Sequence, residues 1–338
     1  MATVLCVSNE KGGTGKSATA VSLGVGLARQ GNKVLVIDAD PQSSLTVSLG
    51  NHQPDKLPVT LATVMGHILT DREFDPTTGI IHHQEGIDLL PANIALAGME
   101  LSLVSAIGRE TILRQYIDMV KPLYSHVIID TSPSLGLLTL NALAASDQII
   151  VPVAPKYLDV KGLELLLKTI SQVKRQINPK LAIGGILLTM VDRRMNFTRE
   201  IIGMIETAYG GKIRIFSEYI PRSIRAPKAA PRASAFSRTT LTVKWRRLMP
   251  LLWGRCLTLR KGQTTGNLAL AGFEDIFSAS GAPAEGEHIV KIPLAELFPP
   301  EYHPFLIRDD ESMTRLVESV RQYGVLVPGI ARTRADGG

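Results

Sequence analysis

The eight residues Glu10 to Ser17, EKGGTGKS, constrain this chain more than any other stretch. An apolar run, Thr3 to Val7, precedes them, and a helix-like segment from about Ser17 to Arg29 follows. A strand, a glycine-rich loop and a helix in that order make a phosphate-binding P-loop. Its glycines let the backbone turn N–H groups toward an anion, and the helix N-terminus adds about half a positive charge. Gly12, Gly13, Thr14, Gly15, Lys16, Ser17 and Ala18 form the candidate cradle. Lys16 is expected to reach the β- and γ-phosphates of ATP, and Ser17 to ligate Mg²⁺.

A P-loop of this kind needs a sheet behind it, and the chain supplies one. Lys33 to Asp38, His126 to Asp130, Gln148 to Val153 and Leu181 to Thr189 are apolar runs of strand length, as buried parallel strands are. Ile87 to Pro91 is a shorter one. Leu61 to Leu69, the stretch from Ile94 to Leu103, Leu135 to Ala145 and Leu158 to Val173 have helical spacing. This alternation through residue 225 predicts a doubly wound α/β fold with about seven parallel-type strands. Asp38 and Asp40 in DADPQSS, and Asp130 in HVIIDTSPS, fall at strand C-terminal ends, where open α/β sheets carry their chemistry. Residues 51 to 86 are polar and irregular; His52, His67, His82 and His83 lack the spacing of a metal site and are expected to be surface residues.

The loop departs from the general P-loop pattern, with Glu10 where that pattern has glycine and a lysine at each end of KGGTGKS. It resembles the deviant Walker A box of the ParA/MinD family of dimerising ATPases. The resemblance runs through residue 225, with the motifs in order. It implies that Lys11 crosses to the partner's nucleotide and acts as an arginine finger does. It also implies that Asp40 orients the attacking water, that Asp38 lies near Mg²⁺, and that Asp130 is a Walker B-like acid, with Ser132 where the family often has proline. TMVDRRMN is similar to the family's T-M-x-D-x-R-x-N stretch, so Arg194 is expected to contact DNA without sequence preference. IPRSIR resembles the family's proline-arginine loop, with Pro221 and Arg222 near the adenine and Arg225 as a second DNA contact. The function implied is a cytoplasmic, nucleoid-associated bacterial ATPase for plasmid or chromosome segregation. It would form a homodimer on ATP binding, hold nonspecific DNA and answer to a ParB-type partner. A MinD-like membrane ATPase would need a C-terminal amphipathic helix, and no clean one is present. A noncatalytic nucleotide-binding adaptor is the rival from another class.

The remainder of the chain reads differently. Residues 226–273 hold nine Lys or Arg and no Asp or Glu, so the net charge of +6 belongs to that segment. Residues 226–256 lack the family's usual ending, as a shifted reading frame would produce; a basic arm for DNA or a membrane surface is the other reading. Residues 257–288 look like a linker. Residues 289–338 resemble the start of a ParB-type centromere-binding protein and stop before its CTP motif and helix-turn-helix. The two cysteines, Cys6 and Cys256, form no metal spacing, and no run of about 18 apolar residues suggests a membrane span.

Overall fold

The computed structural model describes residues 2–222 and the single position Val317. The readings made for Arg225 and for 226–256, 257–288 and 289–338 lie outside the described residues. Seven strands form one sheet: β1 (Thr3–Val7), β2 (Val34–Ala39), β3 (Ile81–His83), β4 (Ile87–Leu90), β5 (His126–Thr131), β6 (Gln148–Val153) and β7 (Ala182–Leu188). Their spatial order is β3-β4-β2-β5-β1-β6-β7. Every pairing is parallel except β3 with β4. The expectation of about seven parallel-type strands is corrected in one respect: six are parallel, and the seventh is a short antiparallel edge strand within the stretch read as irregular.

The apolar runs are continuous because the sheet is covered on both faces. Alternate residues point to opposite sides. Val4, Cys6, Leu35, Ile37, Val127 and Ile129 enter one core, while Leu5, Val7, Val34, Val36 and Ile128 enter the other. Helix α1 (Lys16–Arg29) covers the second face through Val21, Leu23, Val25 and Leu27. The first face is covered by α3 (Leu61–Leu69), α5 (Ile112–Val120), α6 (Leu137–Ala145), α7 (Tyr157–Gln176) and α8 (Asn196–Tyr209). Also described are α2 (Ser44–Ser48) after β2, α4 (Ala95–Leu103) after β4, and two 3-10 turns, Pro54–Lys56 and Lys121–Leu123. Among the described residues, no helix is long and apolar enough to cross a membrane.

The strand order brings the chemistry together. β1 lies between β5 and β6, and β2 lies on the far side of β5. The P-loop leaves β1, Asp38 and Asp40 leave β2, and Asp130 ends β5. In the β2–β5 register Asp38 stands opposite Asp130, and in the β1–β5 register Val7 does.

Candidate functional site

The P-loop keeps its shape through three long-range bonds. Asn9 donates from Nδ2 to the Pro152 carbonyl at 2.7 Å, and its Oδ1 accepts the Lys11 amide at 3.0 Å. Thr189, just past β7, donates to the Thr14 carbonyl at 2.8 Å. Thr131 donates to the Val7 carbonyl at 3.2 Å. The loop is thereby tied to β5, β6 and the end of β7. Gly13 (φ 74°) and Gly15 (φ 82°) adopt left-handed backbone that side chains disfavour, and Gly15 forms the N-cap of α1 without a side-chain cap. The first amides of α1 are consequently available to an anion.

The two lysines of the loop take different positions. Lys16 is buried and folds back, its Nζ donating to the Lys11 carbonyl at 2.9 Å. Burial pushes its pKa down, while the negative charges of Asp130 and Asp40 oppose that shift. Lys11 leaves the cradle. Its aliphatic stem lies on α7 at Gly162, where a Cβ would approach Lys11 Cγ within 3.0 Å. Buried Asp159 lies near enough for the charges of Lys156 and Lys11 to offset part of the upward shift that burial imposes on its carboxyl.

Three acids complete the site. Asp130 is fully buried, and neither carboxylate oxygen has a hydrogen-bond partner within normal geometry. Burial, then the charge of Asp38, raise its pKa; nearby Ser17 and Lys16 act the other way. A buried carboxylate without donors, beside a hydroxyl and an ammonium, suits a hydrated divalent cation. Among the described residues no group of three or more His, Cys, Asp or Glu is gathered to hold a metal. A cation here therefore depends on oxygens that a nucleotide brings, as Mg²⁺ usually does.

Asp38 is also buried, but its oxygens are occupied. Oδ2 accepts the Thr46 amide at 2.8 Å and the Thr46 hydroxyl at 2.6 Å, and Oδ1 accepts the Asp40 amide at 3.2 Å. Burial pushes its pKa to about 6 against these bonds. Its direct partners are protein groups of the segment carrying Asp40. Asp40 is nearly buried, and its Oδ1 accepts the Gln42 amide at 2.9 Å.

The sequence-derived residues beyond the P-loop also have definite places. Pro221 bridges Val191 in a parallel pairing, and the Arg222 amide donates to the Val191 carbonyl at 3.2 Å. That strip thus runs beside the chain that leaves Thr189 and its bond to the P-loop. Arg194 has a side chain 90% exposed, but its guanidinium holds Asp192 in a bidentate pair at 2.8 and 2.6 Å. That pairing drives the Asp192 pKa down to about 2. His82 lies at the surface as expected, its side chain 77% exposed, and bonds Asp88 at 2.7 Å, whereas His67 is half-buried and stacks at a tilt on Phe74. Sequence reasoning missed Asn9, Thr46 and Thr189. Thr46 had a signal, a hydroxyl six residues after Asp40 in the short helix α2 that follows the loop; Asn9 and Thr189 act over distances no local pattern covers.

A mostly parallel sheet with this loop at the end of an interior strand, and acids on the two strands beyond, defines a P-loop nucleoside triphosphatase. Comparison with known proteins narrows the class. A family model described as an AAA domain matches residues 2–183. The sporulation initiation inhibitor protein Soj of Bacillus subtilis is 38% identical over 233 residues, 68% of this chain and 88% of that protein. The chromosome partitioning protein ParA of Myxococcus xanthus is 37% identical over 224 residues, 66% of this chain and 76% of that one. A solved structure of cobyrinic acid a,c-diamide synthase from Mycobacterium smegmatis, with bound ADP and magnesium, has a TM-score of 0.61 at 38% identity, covering 71% of this chain and 97% of that one. Apo McdA shares the fold, with a TM-score of 0.63 at 23% identity over 75% of this chain and 100% of that one. The chain belongs to the ParA/Soj family of AAA-domain ATPases. ATP is its nucleotide and Mg²⁺ its metal, in keeping with the ADP, ATP analogue and magnesium bound in the mycobacterial structures.

Proposed function

We propose that this ATPase moves DNA: ATP closes a homodimer, the closed dimer holds duplex DNA without sequence preference, and a ParB-type partner triggers slow hydrolysis that releases it. The carrying observation is the division of labour between the two lysines. Lys16 is folded into the cradle, whereas Lys11 lies outside it along α7. A lysine that its own nucleotide does not need is suited to a second nucleotide across a dimer interface, where it would neutralise charge on the transferring phosphoryl group. Ser17 would hold Mg²⁺ with Asp130 behind it, and the metal would supply charge neutralisation at the phosphates. Asp40 would orient the attacking water, and Pro221 with Arg222 would flank the adenine. Arg194 would meet phosphates by exchanging Asp192 for them, with Arg225 as a further contact. Phosphate contacts of this kind give affinity and salt dependence but carry no base sequence. The names of the Soj and ParA relatives support this reading. Residues 289–338 would be a vestige of the ParB-type partner.

The test is steady-state ATP turnover by the full chain with and without nonspecific duplex DNA, beside Lys16→Ala. Turnover that rises with DNA and vanishes in the variant is expected. Turnover indifferent to DNA at every salt concentration would overturn the partition reading and leave an ATPase of other purpose.

A further inference from the structure

Thr46 lies in none of the motifs that define the family resemblance, yet four structural facts converge on it. It is completely buried. Its amide and its hydroxyl both donate to the same oxygen of Asp38, at 2.8 and 2.6 Å. Its hydroxyl oxygen accepts the Ala92 amide at 3.1 Å. The other oxygen of Asp38 accepts the Asp40 amide. One hydroxyl thus joins three separate pieces of chain: the end of β2 with Asp40, the five-residue helix α2, and the turn between β4 and α4.

The segment between Asp38 and Thr46 is anchored to the second core by the buried Leu45 side chain, and its remaining fixings are polar. Ser43 sits in left-handed backbone (φ 55°) and donates its amide to the Asp40 carbonyl at 2.9 Å. Asp40 itself is held by the Gln42 amide and by its own link to Asp38. A single helical turn such as α2 is too short to be stable alone. Its position is fixed from outside, through Leu45 in the second core, Asp38 on one side and Ala92 on the other.

We infer that Thr46 is a positioning residue for ATP hydrolysis: its hydroxyl, clamped between Asp38 and the Ala92 amide, fixes the loop that aims Asp40 at the attacking water. This rests on the reading of Asp40 as the water-orienting residue. Thr46 touches no reacting atom; it acts through the Asp38–Asp40 link. The bond to Ala92 gives the clamp a consequence beyond the site. Movement of the β4–α4 turn would pull on the same hydroxyl that sets Asp40, so a ligand pressing on that turn could alter the rate without touching the nucleotide.

The experiment compares Thr46→Val, Thr46→Ser and Asp40→Ala in the full chain. It measures kcat, KM and binding of a fluorescent ATP analogue. Valine keeps the methyl and the volume and removes the hydroxyl. Loss of a hydrogen bond to a charged group is expected to lower kcat about tenfold or more, with analogue affinity within about threefold of the parent. Serine, which restores the hydroxyl, is expected to recover most of the loss. Parental kcat in Thr46→Val, or equal impairment of valine and serine variants, would overturn the inference, the second outcome assigning the effect to packing. Parental turnover in Asp40→Ala would instead overturn the reading of Asp40 on which the clamp depends. A second measurement needs no variant: amide hydrogen exchange in the intact chain. Thr46 and Ala92 amides are expected to slow together when ATP is added, and independent responses would overturn the clamp.

Discussion

Two aspartates of the same sheet show how differently one fold treats a carboxylate. Asp88, on β4 near the sheet edge, has a side chain 28% exposed and a partner for each oxygen. His82 bonds Oδ1 at 2.7 Å and Tyr124 donates to Oδ2 at 2.8 Å. Asp130, on the more central β5, is wholly buried, and neither oxygen has a hydrogen bond of normal geometry, although the Ser17 hydroxyl and the Lys16 ammonium lie near. A folded chain usually pairs such groups because an unsatisfied buried carboxylate is costly. The edge solves the problem with its own side chains. The centre leaves it unsolved, with Ser17 and Lys16 close by, and thereby gains a place where a nucleotide-borne cation is stabilised. The edge aspartate serves the fold, and the central one serves the ligand at the expense of the fold.

The sharpest way to break this contrast is to neutralise each acid and measure ATP turnover. Asp130→Asn is expected to lower kcat at least about a hundredfold, the scale of removing an electrostatic element aimed at developing charge. Asp88→Asn is expected to leave it within about twofold, as at a site remote from the chemistry. Equal effects would mean that the two carboxylates do the same job.

The next effect is on stability, and the two substitutions should have opposite signs. Without nucleotide at pH 7, Asp130→Asn is expected to stabilise the fold by about 1–3 kcal/mol, because it removes a fully buried carboxylate that lacks hydrogen bonds of normal geometry. Asp88→Asn is expected to destabilise it by about 1 kcal/mol through weakened hydrogen bonds. Urea unfolding of both variants beside the parent checks this. Saturating Mg²⁺ and ATP should then stabilise the parent by about 2.7 kcal/mol at a hundredfold excess over Kd and help Asp130→Asn less.

A smaller effect follows from pH. Asp38 has its pKa raised from 3.8 to about 6, and Asp130 is shifted in the same direction. The folded chain therefore binds more protons than the unfolded chain between those values. The contribution of the pair to stability falls as pH rises through that window. Unfolding without nucleotide at pH 5 and pH 7 should show the decline, and Asp38→Asn should flatten it.

The smallest effect concerns the exposed pair Asp192–Arg194, in which water stands in for burial. Asp192→Ala is expected to leave the unfolding midpoint unchanged, since exposed ion pairs contribute little. It should nonetheless strengthen binding to duplex DNA by freeing the Arg194 guanidinium. Arg194→Ala should weaken binding uniformly across sequences and reduce the salt slope by about one. Fluorescence anisotropy over a salt series measures both.

The sequence by itself determined what local chemistry determines. Apolar runs at strand length, the glycines before Lys16 and acids at strand ends gave the P-loop, six of the seven strands and the candidate residues Lys16, Asp40 and Asp130. Strand β3 and helices α2, α5 and α8 were not read from the sequence; β3 and α2, three and five residues long, are too short to carry a periodicity. Tertiary structure alone decided which strands are neighbours, and so which side chains meet. Thr189 holds a P-loop carbonyl 175 positions away, Asn9 reaches Pro152, and Thr46 joins Asp38 to Ala92. The same letter, Asp, became a satisfied edge residue at 88 and an orphaned central one at 130. That difference is desolvation and hydrogen-bond supply, which depend on the crossovers bringing distant segments together and which no local stretch of sequence contains.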